Sequence, residues 1–192
     1  MAAETGSEAE RIDCARPMLV AILAERASGY IGAGIQAVAP YQLGPNTDAD
    51  VALEMREDAE AITELTQPLT VFHDAWLGRP HPVSAEVGDA YFWMTLDIDD
   101  RPVVTLSHQL YMAKGGVEAV GIRDFYLTSF FDVGQSIALL MPVEDGILLV
   151  TAARVWVDDW SGAPHLKHAV GTNMLAKQMR HLVEDEKICG SR

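Results

Sequence analysis

The sequence predicts an α+β domain: a curved antiparallel sheet of about six to seven strands gripped by a long C-terminal helix, with further helices ahead of the sheet. Three observations carry this. Two stretches within the first 66 residues repeat their apolar positions near every 3.6 residues. From residue 69 to Asp158 the period becomes 2, with turn residues at short intervals. From about Pro164 to Lys187 the helical period returns in one uninterrupted stripe.

Each element follows from its residues. Residues 1–7 are small and polar and read as a tail. Pro17 suits the first position of a helix, Met18, Leu19, Ile22 and Leu23 give that helix one apolar face, and Ser28-Gly29 ends it. Tyr30 to Pro40, rich in Gly and Ala, reads as a first strand or an extended lid. Thr47 or Asp48 caps a second helix running to about Thr66. Its apolar side is Val51, Met55, Ala59, Ile62 and Leu65; its other side carries Glu54, Glu57, Asp58, Glu60 and Glu64 and is expected in water.

The strands come next. Leu69 to Trp76 reads as a strand, and Ala90 to Ile98 alternates cleanly. Asp99-Asp100 turns the chain into a strand from Arg101 to Met112, and Lys114-Gly115-Gly116 into a long one from Val117 to Phe131, bulged near Gly121. Ser136 to Val143 and Ile147 to Asp158 pair around Glu144-Asp145-Gly146. The last helix buries Leu166, Val170, Met174, Leu175, Met179, Leu182 and Val183. At about 24 residues it is roughly 36 Å long, enough to cross a sheet of ten-residue strands. The organisation is therefore a tail and helix over 1–29 and an α+β domain over 30–192.

The closing segment, RVWVDDWSGAPHLKHAVGTNMLAKQM, passes from a last strand through a Gly/Pro turn into the final helix. With the preceding order of strand, helix and six strands, it resembles the START and Bet v 1-like helix-grip superfamily over roughly residues 30–187. That superfamily includes lipid carriers, plant hormone receptors and bacterial polyketide cyclases. The resemblance implies a cavity between sheet and final helix, and no functional residue is carried over from it. The helix ahead of the first strand departs from the compact members.

Composition limits the function. A formal charge of −14 is spread along the chain, with 12 acids and 4 bases in the first 66 residues and 16 and 10 in the rest. Such a surface repels phosphate backbones and anionic lipid, so neither nucleic acid nor membrane is an expected partner. No uninterrupted apolar run reaches the roughly 18 residues of a membrane span. The two cysteines, Cys14 and Cys189, fit a reducing cytoplasm, with a terminal clip in an exported protein as the alternative.

Candidate site residues are polar groups in apolar strand stripes. His108 lies among Val104, Leu106, Leu110 and Met112. Asp124 and Tyr126 lie among Val120, Ile122, Thr128 and Phe130, and Arg154 and Trp156 among Leu148, Val150 and Ala152. If these three stripes face one cavity, His108, Asp124, Tyr126, Arg154 and Trp156 form a ligand-binding set; a structural ion pair or a satisfied core histidine is the plainer reading. His165 and His168 share a helix face but lack a third ligand, so no metal is expected, and no cofactor motif is present.

The leading expectation is a soluble protein that encloses a hydrophobic small molecule or lipid between sheet and C-terminal helix, with a homodimer as one assembly open to it. One alternative is a cyclase- or aromatase-type enzyme with His108 as general base and Tyr126 or Arg154 steadying an enolate. Another is an acidic interaction module using the Glu-rich helix, Asp50 to Glu64.

Overall fold

The computed structural model describes residues 8–44, 47–78, 83–98, 101–128 and 133–156. Residues 1–156 form one compact unit and 157–192 a second. The predicted C-terminal helix, with Trp160, His165 and His168, lies outside the described residues.

The described chain is α+β. Helix α1 (Glu8–Ala33) leads through a short 3-10 turn, Gly34–Ala37, into a two-stranded ribbon, β1 (Tyr41–Gly44) and β2 (Thr47–Ala49). Helices α2 (Val51–Ala61), α3 (Thr63–Thr66) and α4 (Thr70–Trp76) follow. The remaining strands are β3 (Gly88–Ile98), β4 (Arg101–Lys114), β5 (Val117–Leu127), β6 (Val133–Val143) and β7 (Gly146–Trp156). They pair antiparallel in sequence order, giving one open five-stranded sheet. The sheet thus has five strands where the sequence suggested six or seven.

Two segments read as strands are helical. Tyr30 to Pro40 begins as the last turn of α1 and continues as the 3-10 turn. Tyr30 is the reason: it is nearly fully buried and stacks on Phe125 at 4.0 Å, which fixes the end of α1 on the sheet. Pro17 accordingly sits inside α1 rather than opening it. Leu69 to Trp76 is helix α4, because Phe72, Ala75 and Trp76, at spacings of 3 and 4, are all buried in the core. A β-branched and aromatic composition yields here to tertiary packing.

Helix α2 starts later than Thr47 or Asp48. Asp50 is its N-cap, and its carboxylate accepts the Leu53 N–H at 3.0 Å. Its acidic side is not uniformly in water: Glu54 and Asp58 are buried, while Glu57, Glu60 and Glu64 are exposed. That removes two of the five acids from any acidic docking surface.

The hairpin turns match the sequence. Gly115 and Gly116 both take positive φ, the requirement of a type I′ turn, and join β4 to β5. Glu144-Asp145 joins β6 to β7. The bulge in β5 is not at Gly121. Leu106 pairs with Tyr126 and Ser107 with Asp124, so Phe125 is the extra residue. Gly121 instead answers a close approach: a Cβ there would stand 2.6 Å from the Trp76 ring.

Two clusters join helices to sheet. One contains Phe72, Ala75, Trp76, Leu110, Met112, Ala119, Ile137 and Leu139; the other contains Tyr30, Met55, Leu106, Phe125 and Val133. Every sheet residue in them points to the same side, hereafter the first face. The segment Asp13–Ala37 is long and apolar enough to cross a membrane by length and composition alone. Its second half is committed elsewhere: Tyr30 is in the core, and Arg26 donates to the Ala39 carbonyl and lies over the Tyr126 ring.

Candidate functional site

Strand register aligns five polar or aromatic residues across the first face, one per strand. Tyr91 opposes His108, His108 opposes Arg123, Arg123 opposes Gln135, and Gln135 opposes Arg154. The three middle members are buried, with His108 4% and Arg123 2% exposed. A polar row in such a place requires partners for its donors and acceptors. The helices supply them.

Arg123 is the hub. Its Nε donates to Gln135 Oε1 at 2.9 Å, one Nη to the Tyr30 hydroxyl at 3.1 Å, and the other Nη to the Trp76 carbonyl. That carbonyl belongs to the last residue of α4, so the guanidinium closes a helix C-terminus, where a cation is favoured. Gln135 in turn donates to the Met55 carbonyl of α2 at 2.7 Å. Arg154 Nε donates to Asp58 Oδ1 of α2 at 2.8 Å. The row therefore fastens α1, α2 and α4 to the sheet.

His108 is flanked at both ring nitrogens. Nδ1 stands 3.1 Å from the Tyr30 hydroxyl, which also accepts from Arg123, and Nε2 faces Asp89 Oδ2 at 3.6 Å. Tyr91 stacks on the imidazole at 4.4 Å. Its phenol is pushed well above the ordinary tyrosine range, first by burial and then by donation to the Asp89 carboxylate.

The second face is different. Its side chains include Phe92, Met94, Tyr111, Val120, Ile122 and Leu140, half-buried or exposed rather than packed in the two clusters. Asp124 lies here, opposite Ser107 on β4 and Gly134 on β6. The Ser107 hydroxyl donates to Asp124 Oδ1 at 2.6 Å. Burial pushes the Asp124 carboxyl above its usual range, and the serine offsets this only in part. Val103, Thr105 and Ser107, on the same face, are fully buried.

The structure thus divides the five sequence-predicted site residues. His108, Arg154, Trp156 and, through the bulge, Tyr126 are on the first face; Asp124 is on the second. They do not meet at one point. His108 is held by Tyr30 and Arg154 by Asp58, three strand spacings apart, roughly 14 Å. Tyr126 lies beneath Arg26. The sequence reading missed Arg123 because it chose the wrong alternate set on β5; Gln135, Tyr30, Asp58 and Asp89 lie on other elements and join the row only through tertiary contacts. The buried set is Ala119, Gly121, Arg123, Phe125 and Leu127, and its glycine and arginine disguise it as a solvent face.

A raised carboxyl pKa has a signed consequence. Asp124 contributes stability that is fully present below its unfolded pKa and is lost as pH rises through its higher folded value. Asp124→Asn, which keeps an acceptor for Ser107 and carries no charge, is expected to melt above the wild type at pH 7. The gap should close as pH falls towards 4. Thermal melts across that range check it, and a gap that widens on acidification contradicts it.

Comparison with known proteins returns no matching family model, no matching curated protein and no matching solved structure.

Proposed function

We propose that this protein binds a small hydrophobic molecule against the second face of its sheet. The observation that supports this most is the inequality of the two faces. Most of the first face is taken: its clustered apolar residues are packed by α1, α2 and α4, and its polar row is bonded to the same helices, while Trp93 and Leu148 on the edge strands stay exposed. The second face is equally apolar along Phe92, Met94, Val120 and Ile122, yet none of these residues belongs to either packed cluster.

Asp124 is the polar anchor in this reading. It is the one acid among the second-face residues at the centre of β5, and desolvation favours its neutral form. Ser107 occupies Oδ1, which leaves Oδ2 to meet a carbonyl or hydroxyl of the ligand. A neutral carboxyl can donate as well as accept, so it suits a ligand with a polar end and an apolar body. His108, Tyr126 and Arg154 are not needed, and the acid–base reading loses its support because those groups are separately engaged.

Native mass spectrometry of the protein purified from its own cells tests this. A co-purifying small molecule, released on denaturation, is the expected result. A bare polypeptide mass, together with no thermal shift from a panel of apolar ligands, would sink the proposal.

A further inference from the structure

Among the described residues the open sheet has two edges, β3 and β7, and neither edge ladder of backbone donors and acceptors pairs with another described strand. Soluble proteins blunt such edges with charge, proline or a short strand. β7 has none of these devices. It runs for 11 residues, GILLVTAARVW, without proline, lysine or acid, in a chain that carries 28 acids. Its one charge, Arg154, turns to the first face and is held by Asp58. On the second face Ile147, Leu149 and Val155 are 71%, 41% and 40% exposed.

We propose that two copies of this chain pair antiparallel through β7, joining their sheets into one of ten strands. The register follows from chain geometry. Opposed residues must share a face, so a twofold pairing centres on a residue rather than between two. The two-residue turn makes Val143 and Gly146 a hydrogen-bonded pair, so the backbone groups of Ile147, Leu149, Thr151, Ala153 and Val155 point outward. Centring on Thr151 engages all five.

That register is self-complementary. Ile147 meets Val155 of the second copy, Leu149 meets Ala153, and Thr151 meets its own equivalent. On the first face Leu148 covers the aliphatic stem of Arg154, and no like charges are opposed. The other edge fails the same test. A β3 pair centred on Trp93 would set Asp89 against Asp97, carboxylate to carboxylate. Charge therefore selects β7 as the edge that pairs.

Sedimentation velocity of the full chain at micromolar concentration is expected to give a dimer. Ile147→Lys/Leu149→Lys, whose native side chains are solvent-facing, should weaken association by about tenfold or more. Register is read by cysteine scanning in a Cys14→Ser/Cys189→Ser background. Thr151→Cys places its two Cα atoms about 5.5 Å apart and should oxidise to a linked dimer. Ala153→Cys, with its copies about 14 Å apart, should link only when mixed with Leu149→Cys. If the lysine pair fails to fold by circular dichroism, the cysteine set decides alone. A monomer, a dimer indifferent to the lysines, or equal linking by Thr151→Cys and Ala153→Cys overturns the proposal.

Discussion

Replacing Arg123 with methionine is expected to cost about 3–5 kcal/mol of stability. Methionine keeps most of the aliphatic stem, so the loss isolates the guanidinium. Three buried acceptors lose their donor at once: Gln135 Oε1, the Tyr30 oxygen and the Trp76 carbonyl. Each belongs to a different element, so α4 loses its bond to the guanidinium while α1 keeps only the Tyr30–His108 bond to the sheet. Urea denaturation gives the free energy, and Tm should fall by roughly 10 °C or more. Gln135→Met removes only one of these links and should cost less. A loss below about 1 kcal/mol for Arg123→Met would mean the three bonds contribute little beyond what water offers.

Gly121→Val should be the next most damaging change. An alanine Cβ at this position already stands 2.6 and 2.8 Å from two Trp76 ring carbons and 3.3 Å from Phe72. The indole is a rigid plane in a full core, so α4 must shift away from β5. Overpacking of this kind costs about 1–3 kcal/mol for a methyl, and valine adds two more carbons. The Trp76 N–H has no hydrogen-bond partner among the described residues, so packing and the Arg123 guanidinium, 5.0 Å from the ring centroid, hold the ring. Shrinking the ring should therefore relieve the clash. Gly121→Ala combined with Trp76→Phe is expected to be more stable than the sum of the two single losses, with a coupling of roughly 0.5–3 kcal/mol in a double-mutant cycle. Strict additivity would show that the glycine is not there for the indole.

These two residues also show what could be read from the sequence and what could not. The hairpins were legible because Gly115-Gly116 and Glu144-Asp145-Gly146 are local turn chemistry, independent of the rest of the chain. The first-face stripes of β4 and β7 were legible because Leu106, Leu110 and Met112, and Leu148, Val150 and Ala152, alternate cleanly along their strands. The β5 face was not, because its buried set contains the arginine hub and a glycine whose use lies in Trp76, 45 residues earlier. Helix α4 has strand-like composition, but Phe72, Ala75 and Trp76 carry helical spacing; that spacing was the signal available. Tyr30, in a Gly/Ala-rich stretch, gains its role only through contacts with His108, Arg123 and Phe125.

The division of labour between the two faces is tested most directly by titration with N-phenyl-1-naphthylamine, a neutral apolar fluorophore. Saturable binding at one site per chain is the predicted result. Ile122→Trp, which fills the second face beside Asp124, should abolish it, whereas Trp93→Ala, an exposed change on the first face, should leave it unchanged. Binding that survives Ile122→Trp and disappears with Trp93→Ala would put the ligand on the wrong side of the sheet and contradict the proposal.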